Sequence, residues 1–178
     1  MIQGQEIPIK PPAEPPLDCL VVDDEPRLRQ VLVHLMRHEG FRCFEAANGL
    51  EALEIPAQQP IPLVMSDMRM PRMDGIELLH KVRQAWPDTA MVMITAVSDV
   101  DVAVSALASG AMDYLTKPFH LEEVRARVGQ ALEKRRLILE NRSYQRSLEE
   151  RVKAQGRRLE QLFLGGVQAL AEALEVKD

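Results

Sequence analysis

The 178-residue sequence has few aromatic residues and few cysteines. Aromatic side chains make up 4% of it and hydrophobic residues 46%, so any core must be built mainly by aliphatic packing. The two cysteines, Cys19 and Cys43, both lie within or beside short apolar runs. Disulfide frameworks belong to small secreted domains, and free cysteine is usually buried. We therefore expect two reduced, packed thiols in a cytoplasmic protein.

Long apolar runs and an excess of basic residues are also lacking. No stretch of 18 apolar residues is present, and the N-terminus has no basic segment followed by an apolar one, so neither a membrane span nor a signal peptide is predicted. The formal net charge is −5. An acidic chain has little general attraction for phosphate backbones, so nucleic acid is not an expected partner.

Proline is concentrated at one end of the chain. Five of the 12 prolines lie in residues 1–16, and none follows Pro118. We interpret residues 1–16 as a disordered, proline-rich tail. Residues 131–164 consist mostly of good helix formers and predict a long helix.

Between these regions, residues 17–130 alternate between short apolar runs and amphipathic stretches, which predicts buried parallel strands connected by helices. Pro26 is placed where the first turn of a helix tolerates it, and Gly40 where a helix ends. The first helix is expected to turn Leu28, Val31, Leu32, Leu35 and Met36 towards the core. The predicted strands are 18–22, 41–46, 61–66, 90–95 and 112–116, and the predicted helices after the first are 49–58, 75–85 and 99–108. The fold class is an α/β, doubly wound five-stranded parallel sheet.

Charged and hydroxyl residues lie at the carboxyl ends of four of the predicted strands. Asp23 and Asp24 follow the first strand, Asp67 the third, and Lys117 the fifth; Thr95 ends the fourth. Ligand sites of open α/β sheets lie beyond the carboxyl ends of the strands, so these groups should converge on one edge. Carboxylates with one ammonium predict an acidic pocket for a hard divalent cation and a phosphoryl group.

The same residues carry a family resemblance. An acidic pair is followed by Asp-x-x-Met-Pro-x-Met-Asp-Gly at 67–75, by Thr-Ala at 95–96 and by Lys-Pro-Phe at 117–119, in order and each at a strand end. Residues 17–130 thereby resemble a CheY-like receiver domain of two-component response regulators, which has a flavodoxin-like fold.

The resemblance implies a role for each site residue. Asp67 would accept a phosphoryl group from a sensor histidine kinase, with Lys117 and Thr95 contacting that group. Mg²⁺ would be the cofactor, and its protein ligands would be Asp23, Asp24, Asp67 and the backbone carbonyl of Arg69.

The resemblance also implies a switch and a lifetime. Thr95 and Tyr114 would move together on phosphorylation, and the Lys117–Pro118 bond is expected to be cis. Arg69 and Val97 occupy positions that tune the lifetime of the phosphoryl group, and we expect slow self-dephosphorylation.

Simpler interpretations exist for each residue alone. Asp23 or Asp24 could be a helix N-cap, and Lys117 a solvated strand end. Thr95 could be a β-branched core residue and Tyr114 a half-buried strand residue.

The C-terminal helix carries a heptad pattern, formed by Leu148, Val152, Gln155, Leu159 and Leu162. We expect residues 131–164 to pair as a coiled coil in a homodimer; the alternative is a helix that folds back on its own domain.

We expect residues 165–178 to be the start of a truncated output domain, because residues 164–178 resemble the helix that precedes HD-GYP phosphodiesterase domains. The chain itself would then be a phosphoacceptor rather than an enzyme, and the output a cyclic-di-GMP phosphodiesterase. A receiver of a DNA-binding transcriptional regulator is the main alternative. A phosphatase is disfavoured because such enzymes carry an Asp-x-Asp motif, whereas Asp67 is followed by Met68 and Arg69.

Overall fold

A computed structural model describes residues 15–96 and 100–175 of the chain. Strands and helices alternate along it. The elements are β1 (Asp18–Val22), α1 (Pro26–His38), β2 (Arg42–Ala46), α2 (Gly49–Glu54), β3 (Leu63–Asp67), α3 (Gly75–Ala85), β4 (Ala90–Ala96), α4 (Val100–Ala108), β5 (Asp113–Lys117) and α5 (Leu121–Glu175). Most of the predicted N-terminal tail lies outside the described residues.

The five strands form one parallel sheet in the order β2-β1-β3-β4-β5. This confirms the predicted doubly wound fold, in which crossover helices cover both faces. On one face, α1 and the first turns of α5 bury Leu32, Met36, Val124 and Val128. The other face is covered by α2, α3 and α4. The carboxyl ends of all strands therefore meet at one edge.

Two sequence predictions about helices were wrong in detail. The second helix ends at Glu54 rather than near residue 58, because Pro56 follows two residues later and has no N–H to continue the helix. In α1, Val31 is 51% exposed while Val33 is buried. The buried stripe runs through Leu32, Val33 and Met36, so Val31 points away from the sheet.

Gly75 is required where β3 leads into α3. A Cβ atom at this position would overlap the backbone oxygen of Asp67 and would also contact Met93 and Met68. The Gly75 amide donates to the Met68 carbonyl at 3.0 Å, which holds the start of α3 against the end of β3. Asp74 caps the helix by accepting from the Glu77 amide at 2.8 Å. This close approach fixes the segment that carries Asp67.

The helix α5 contributes to two compact units, one ending at Arg135 and one beginning at Arg136. Within the second unit, the apolar side chains of the predicted seam are exposed to solvent: Leu148, Val152, Leu159 and Leu162. In the described part of the chain, no helix combines the length and the apolar character needed to cross a membrane.

We predict that Gly75→Ala lowers the free energy of unfolding by about 1–3 kcal/mol, because backbone atoms must move to admit the methyl group. Denaturant-induced unfolding followed by circular dichroism measures the change. Gly129→Ala is the matched control: Gly129 lies in the interior of α5 with nothing within 4 Å of its added Cβ. That variant should be as stable as the wild type or more stable by up to about 1 kcal/mol. Equal effects of the two substitutions would contradict the assignment.

Candidate functional site

Three charged side chains from three different strand ends meet at the carboxyl edge of the sheet. The Lys117 ammonium lies 2.5 Å from Asp67 Oδ1 and 3.2 Å from Asp23 Oδ2. Asp23 follows β1, Asp67 ends β3 and Lys117 ends β5. The structure thus brings together the residues that the sequence predicted to converge, and one lysine bridges two carboxylates.

Asp23 is held firmly in this cluster. Its side chain is fully buried, and Oδ1 accepts a hydrogen bond from the Glu25 amide at 2.8 Å. Its own amide donates to the Ala46 carbonyl of β2 at 3.2 Å. The residue at the N-cap of α1 is Glu25, whose side chain makes no capping bond. Neither Asp23 nor Asp24 is therefore the N-cap that the simpler interpretation required.

Asp67 uses both carboxylate oxygens. Oδ1 pairs with Lys117, and Oδ2 accepts from the Arg69 amide at 3.1 Å. The residue is 7% exposed, so the carboxylate reaches the surface only at the strand end. A small exposed portion is what a group transfer from solvent or from a partner would need.

The charges in the cluster do not balance, since two carboxylates share one ammonium. Burial raises the pKa of Asp67, and the nearby Asp23 charge adds to this; the hydrogen bond and charge of Lys117 only partly offset the rise. Burial alone would lower the pKa of Lys117, but Asp67 and Asp23 together outweigh it and raise that pKa. The site therefore carries an excess negative charge that favours a proton or another cation.

The donor set fits a magnesium ion in chemical character. Asp24 is exposed and lines an open cavity of about 470 Å³ together with Arg69 and Asp74. Within residues 15–96 and 100–175, no three or more His, Cys, Asp or Glu side chains are already arranged as metal ligands. Mg²⁺ keeps several waters and needs few protein oxygens, so carboxylates at the edge of an open cavity are sufficient.

Thr95 lies at the same edge, near the end of β4. The residue is fully buried, and Oγ1 donates to the Ala96 carbonyl at 3.3 Å. Its register partner on β5 is Thr116, which precedes Lys117. The predicted lifetime position Val97 lies outside the described residues.

Residues 19–129 match the sequence profile of the response regulator receiver domain. The chain belongs to the response regulator receiver family. This confirms the resemblance drawn from the sequence, and the fold and the grouping of acidic residues at the strand ends are consistent with it.

Known proteins similar to this receiver include transcriptional regulators. It is 43% identical over 112 residues to the DNA-binding transcriptional regulator NtrC of Escherichia coli K12, a match that covers 63% of this chain and 24% of NtrC. It is 36% identical over 146 residues to the C4-dicarboxylate transport transcriptional regulatory protein DctD of Pseudomonas aeruginosa, covering 82% and 32% of the two chains. The chain thus spans about a quarter to a third of the length of these curated relatives.

A solved structure of the signal receiver domain of an HD domain-containing protein from Pseudomonas fluorescens Pf-5 is also similar. Its TM-score is 0.66 at 28% identity, over 71% of this chain and 93% of that one. The relatives bear on two sequence predictions. The two curated relatives are described as transcriptional regulators, so they do not support the expectation that nucleic acid is an unlikely partner, and neither carries the HD-GYP description expected from the sequence.

The receiver's predicted switch residue, Tyr114, contacts α5 through a residue that the sequence analysis missed. Tyr114 is half-buried in β5, and the Arg127 guanidinium lies 5.5 Å from the centre of its ring. Arg127 also pairs with the buried Asp113, with Nη1 3.2 Å from Oδ1. An arginine beside Val128 on a mixed-charge helix looks like a solvated residue in sequence, so only the packing reveals this contact.

The Lys117–Pro118 bond is cis, as expected.

The raised pKa of Asp67 predicts a pH-dependent cost to stability. A carboxyl whose folded pKa is above its unfolded value contributes stability below the unfolded value, near 3.8, and loses it as the pH rises through the folded pKa. Asp67→Asn removes this titration. We therefore expect the variant to gain stability relative to the wild type as the pH rises from about 4 to 7 in metal-free buffer, measured by denaturant unfolding at each pH. A relative loss over that range would contradict the raised pKa.

Proposed function

We propose that this chain is a phosphorylation-controlled switch in which Asp67 accepts a phosphoryl group from a sensor histidine kinase or a small phosphodonor. The observation that carries the proposal is the cluster of Asp67, Lys117 and Asp23 at the open edge of a receiver sheet. A mostly buried, ion-paired carboxylate that still reaches the surface is suited to attack phosphorus and form an acyl phosphate.

Each side chain in the cluster has a distinct task. Lys117 would remain paired to Asp67 and place positive charge beside the transferred group, where negative charge must be stabilised. Asp23 holds the ammonium from the other side and so fixes its position. The Thr95 hydroxyl, now bonded to Ala96, would rotate to a phosphoryl oxygen.

Magnesium completes the site in this proposal. Asp23, Asp24, Asp67 and the Arg69 carbonyl would hold the ion, which would neutralise charge on the phosphoryl oxygens. The excess negative charge of the metal-free cluster supports this assignment.

The acceptor role is tested with acetyl phosphate and Mg²⁺, followed by intact-mass spectrometry. We expect wild type to gain the mass of one phosphoryl group in a hydroxylamine-labile form. Chelation of the metal should slow the reaction by at least about tenfold, which corresponds to about 1.4 kcal/mol of activation free energy. Asp67→Asn should gain nothing. Asp88→Asn, on an exposed turn, is a matched control and should react like wild type. Phosphorylation of Asp67→Asn to the same extent would refute the assignment.

The signal would leave the site through β5 and α5. Movement of Thr95 would let Tyr114 rotate, and Tyr114 is tied to α5 by the Arg127 contact. Because Arg127 also holds Asp113, a change at β5 alters how the first turns of α5 are anchored.

We further propose that the exposed apolar seam of α5 pairs with a second copy of the chain as a coiled coil. Exposed apolar residues at heptad spacing on a long helix are stabilised by a partner helix with the same pattern. A parallel pair would join two receivers through their paired α5 helices.

Light scattering tests the pairing. We expect wild type to have the mass of two chains, and Leu159→Lys to be mostly monomeric at micromolar concentration because a charge would enter the seam. Gln161→Lys adds the same charge to an exposed position outside the heptad seam and should remain dimeric. Monomeric wild type, or equal disruption by both substitutions, would sink the proposal.

For the whole protein we propose a DNA-binding transcriptional output. The similarity to DctD covers 146 residues, and only 18 residues precede the family match, so it must extend past residue 129 into α5. An HD-type output is the second candidate, supported by residues 164–178 and by the receiver of an HD domain-containing protein. Residues 176–178 of that segment lie outside the described residues. Retention of the whole protein on duplex DNA supports the first output, and hydrolysis of cyclic-di-GMP supports the second.

A further inference from the structure

The two cysteines are direct neighbours on adjacent strands. Cys19 of β1 and Cys43 of β2 are register partners in the parallel sheet. Adjacent strands lie about 4.8 Å apart, which is within the roughly 4.4–6.8 Å between Cα atoms that a disulfide spans. Both side chains belong to the face of the sheet covered by α1, where Cys19 is in the core and Cys43 packs against it.

The two thiols differ in accessibility. Cys19 is fully buried, whereas Cys43 is half-buried on the edge strand β2. Cys43 Sγ lies 3.8 Å from the Phe41 carbonyl, at the rim of the core. An oxidant that approaches from solvent therefore reaches Cys43 first, and Cys19 is the only other thiol of the chain.

The thiols also differ in acidity: the pKa of the more accessible Cys43 is lowered and that of the buried Cys19 is raised. The hydrogen bond from Cys19 lowers the pKa of Cys43, and the charge of Arg37 lowers it further. The interaction with Cys43 and burial raise the pKa of Cys19. A more acidic, accessible thiol beside a buried one is the arrangement of an attacking and a resolving cysteine.

We propose that Cys19 and Cys43 form a redox pair that a hydroperoxide converts into an intramolecular disulfide. The site is separate from the phosphoryl cluster, and it does not depend on the proposed function. The bond would tie the edge strand β2 covalently to β1.

The reaction balances in two steps. The Cys43 thiolate attacks one peroxide oxygen, the O–O bond breaks and hydroxide leaves, giving a sulfenic acid on Cys43. Cys19 then loses its proton, its sulfur attacks the Cys43 sulfur, and the S–OH bond breaks with release of water. The two thiols are oxidised by two electrons and hydrogen peroxide is reduced to two waters.

The test treats the folded chain with hydrogen peroxide and maps the product by non-reducing peptide mass spectrometry. We expect a Cys19–Cys43 peptide, an intact mass lower by two hydrogen atoms, loss of both titratable thiols, and full recovery with dithiothreitol. In Cys19→Ala, the sulfenic acid on Cys43 has no resolving partner, so a dimedone adduct should increase at least tenfold over wild type. In Cys43→Ala, Cys19 should stay reduced.

Three results would overturn the proposal. In the first, native wild type keeps both thiols at a peroxide dose that oxidises them in denaturant. In the second, the disulfide joins two chains. In the third, dimedone labels Cys43 equally in wild type and in Cys19→Ala. Circular dichroism confirms that the variants are folded. If either variant fails to fold, the mapped wild-type product alone decides the question.

Discussion

The site depends on one lysine that is shared by two buried carboxylates. Lys117 holds Asp67 and Asp23 together, although each ion alone would be costly to bury. One ammonium cannot neutralise both carboxylates. Burial raises the pKa of Asp67, and the charge of Asp23 adds to that rise. The same imbalance supports the proposal that a divalent cation binds beside the cluster. In the proposed function, acceptance of a phosphoryl group and binding of a metal would both depend on the same three charged side chains that meet at this edge of the sheet.

The parallel sheet holds the residues of this cluster in place. Parallel strands place three residues distant in sequence at one edge, and the fully buried β1 and β3 leave little freedom in the backbone that carries Asp23 and Asp67. Gly75 lets α3 begin directly against the Asp67 carbonyl. On the other side of the cluster, β5 carries both Lys117 and Tyr114, so a change at the lysine lies only three residues from the contact with Arg127 of α5.

Much of this could be predicted from the sequence because the signals are local. Apolar runs located the strands, and the charged residues that follow them located the site. What could not be predicted depends on packing. Val31 and Val33 are both valines on one helix, and only the docking angle of α1 decides which is buried. Likewise, nothing in the sequence shows that Arg127 stacks on Tyr114, or that Cys19 and Cys43 share a register position. The output domain could not be predicted from the receiver. Similar receivers occur both in an HD domain-containing protein and in transcriptional regulators.

The effect of burial and of the neighbouring charges on Asp67 can be measured by following its carboxyl carbon in a ¹³C NMR pH titration, with and without Mg²⁺. We predict an apparent pKa above the ordinary value of 3.8 in metal-free buffer, and a fall in that pKa when Mg²⁺ is added. A metal-free pKa at or below 3.8 that Mg²⁺ leaves unchanged would contradict this prediction, because Lys117 would then have offset both burial and the charge of Asp23.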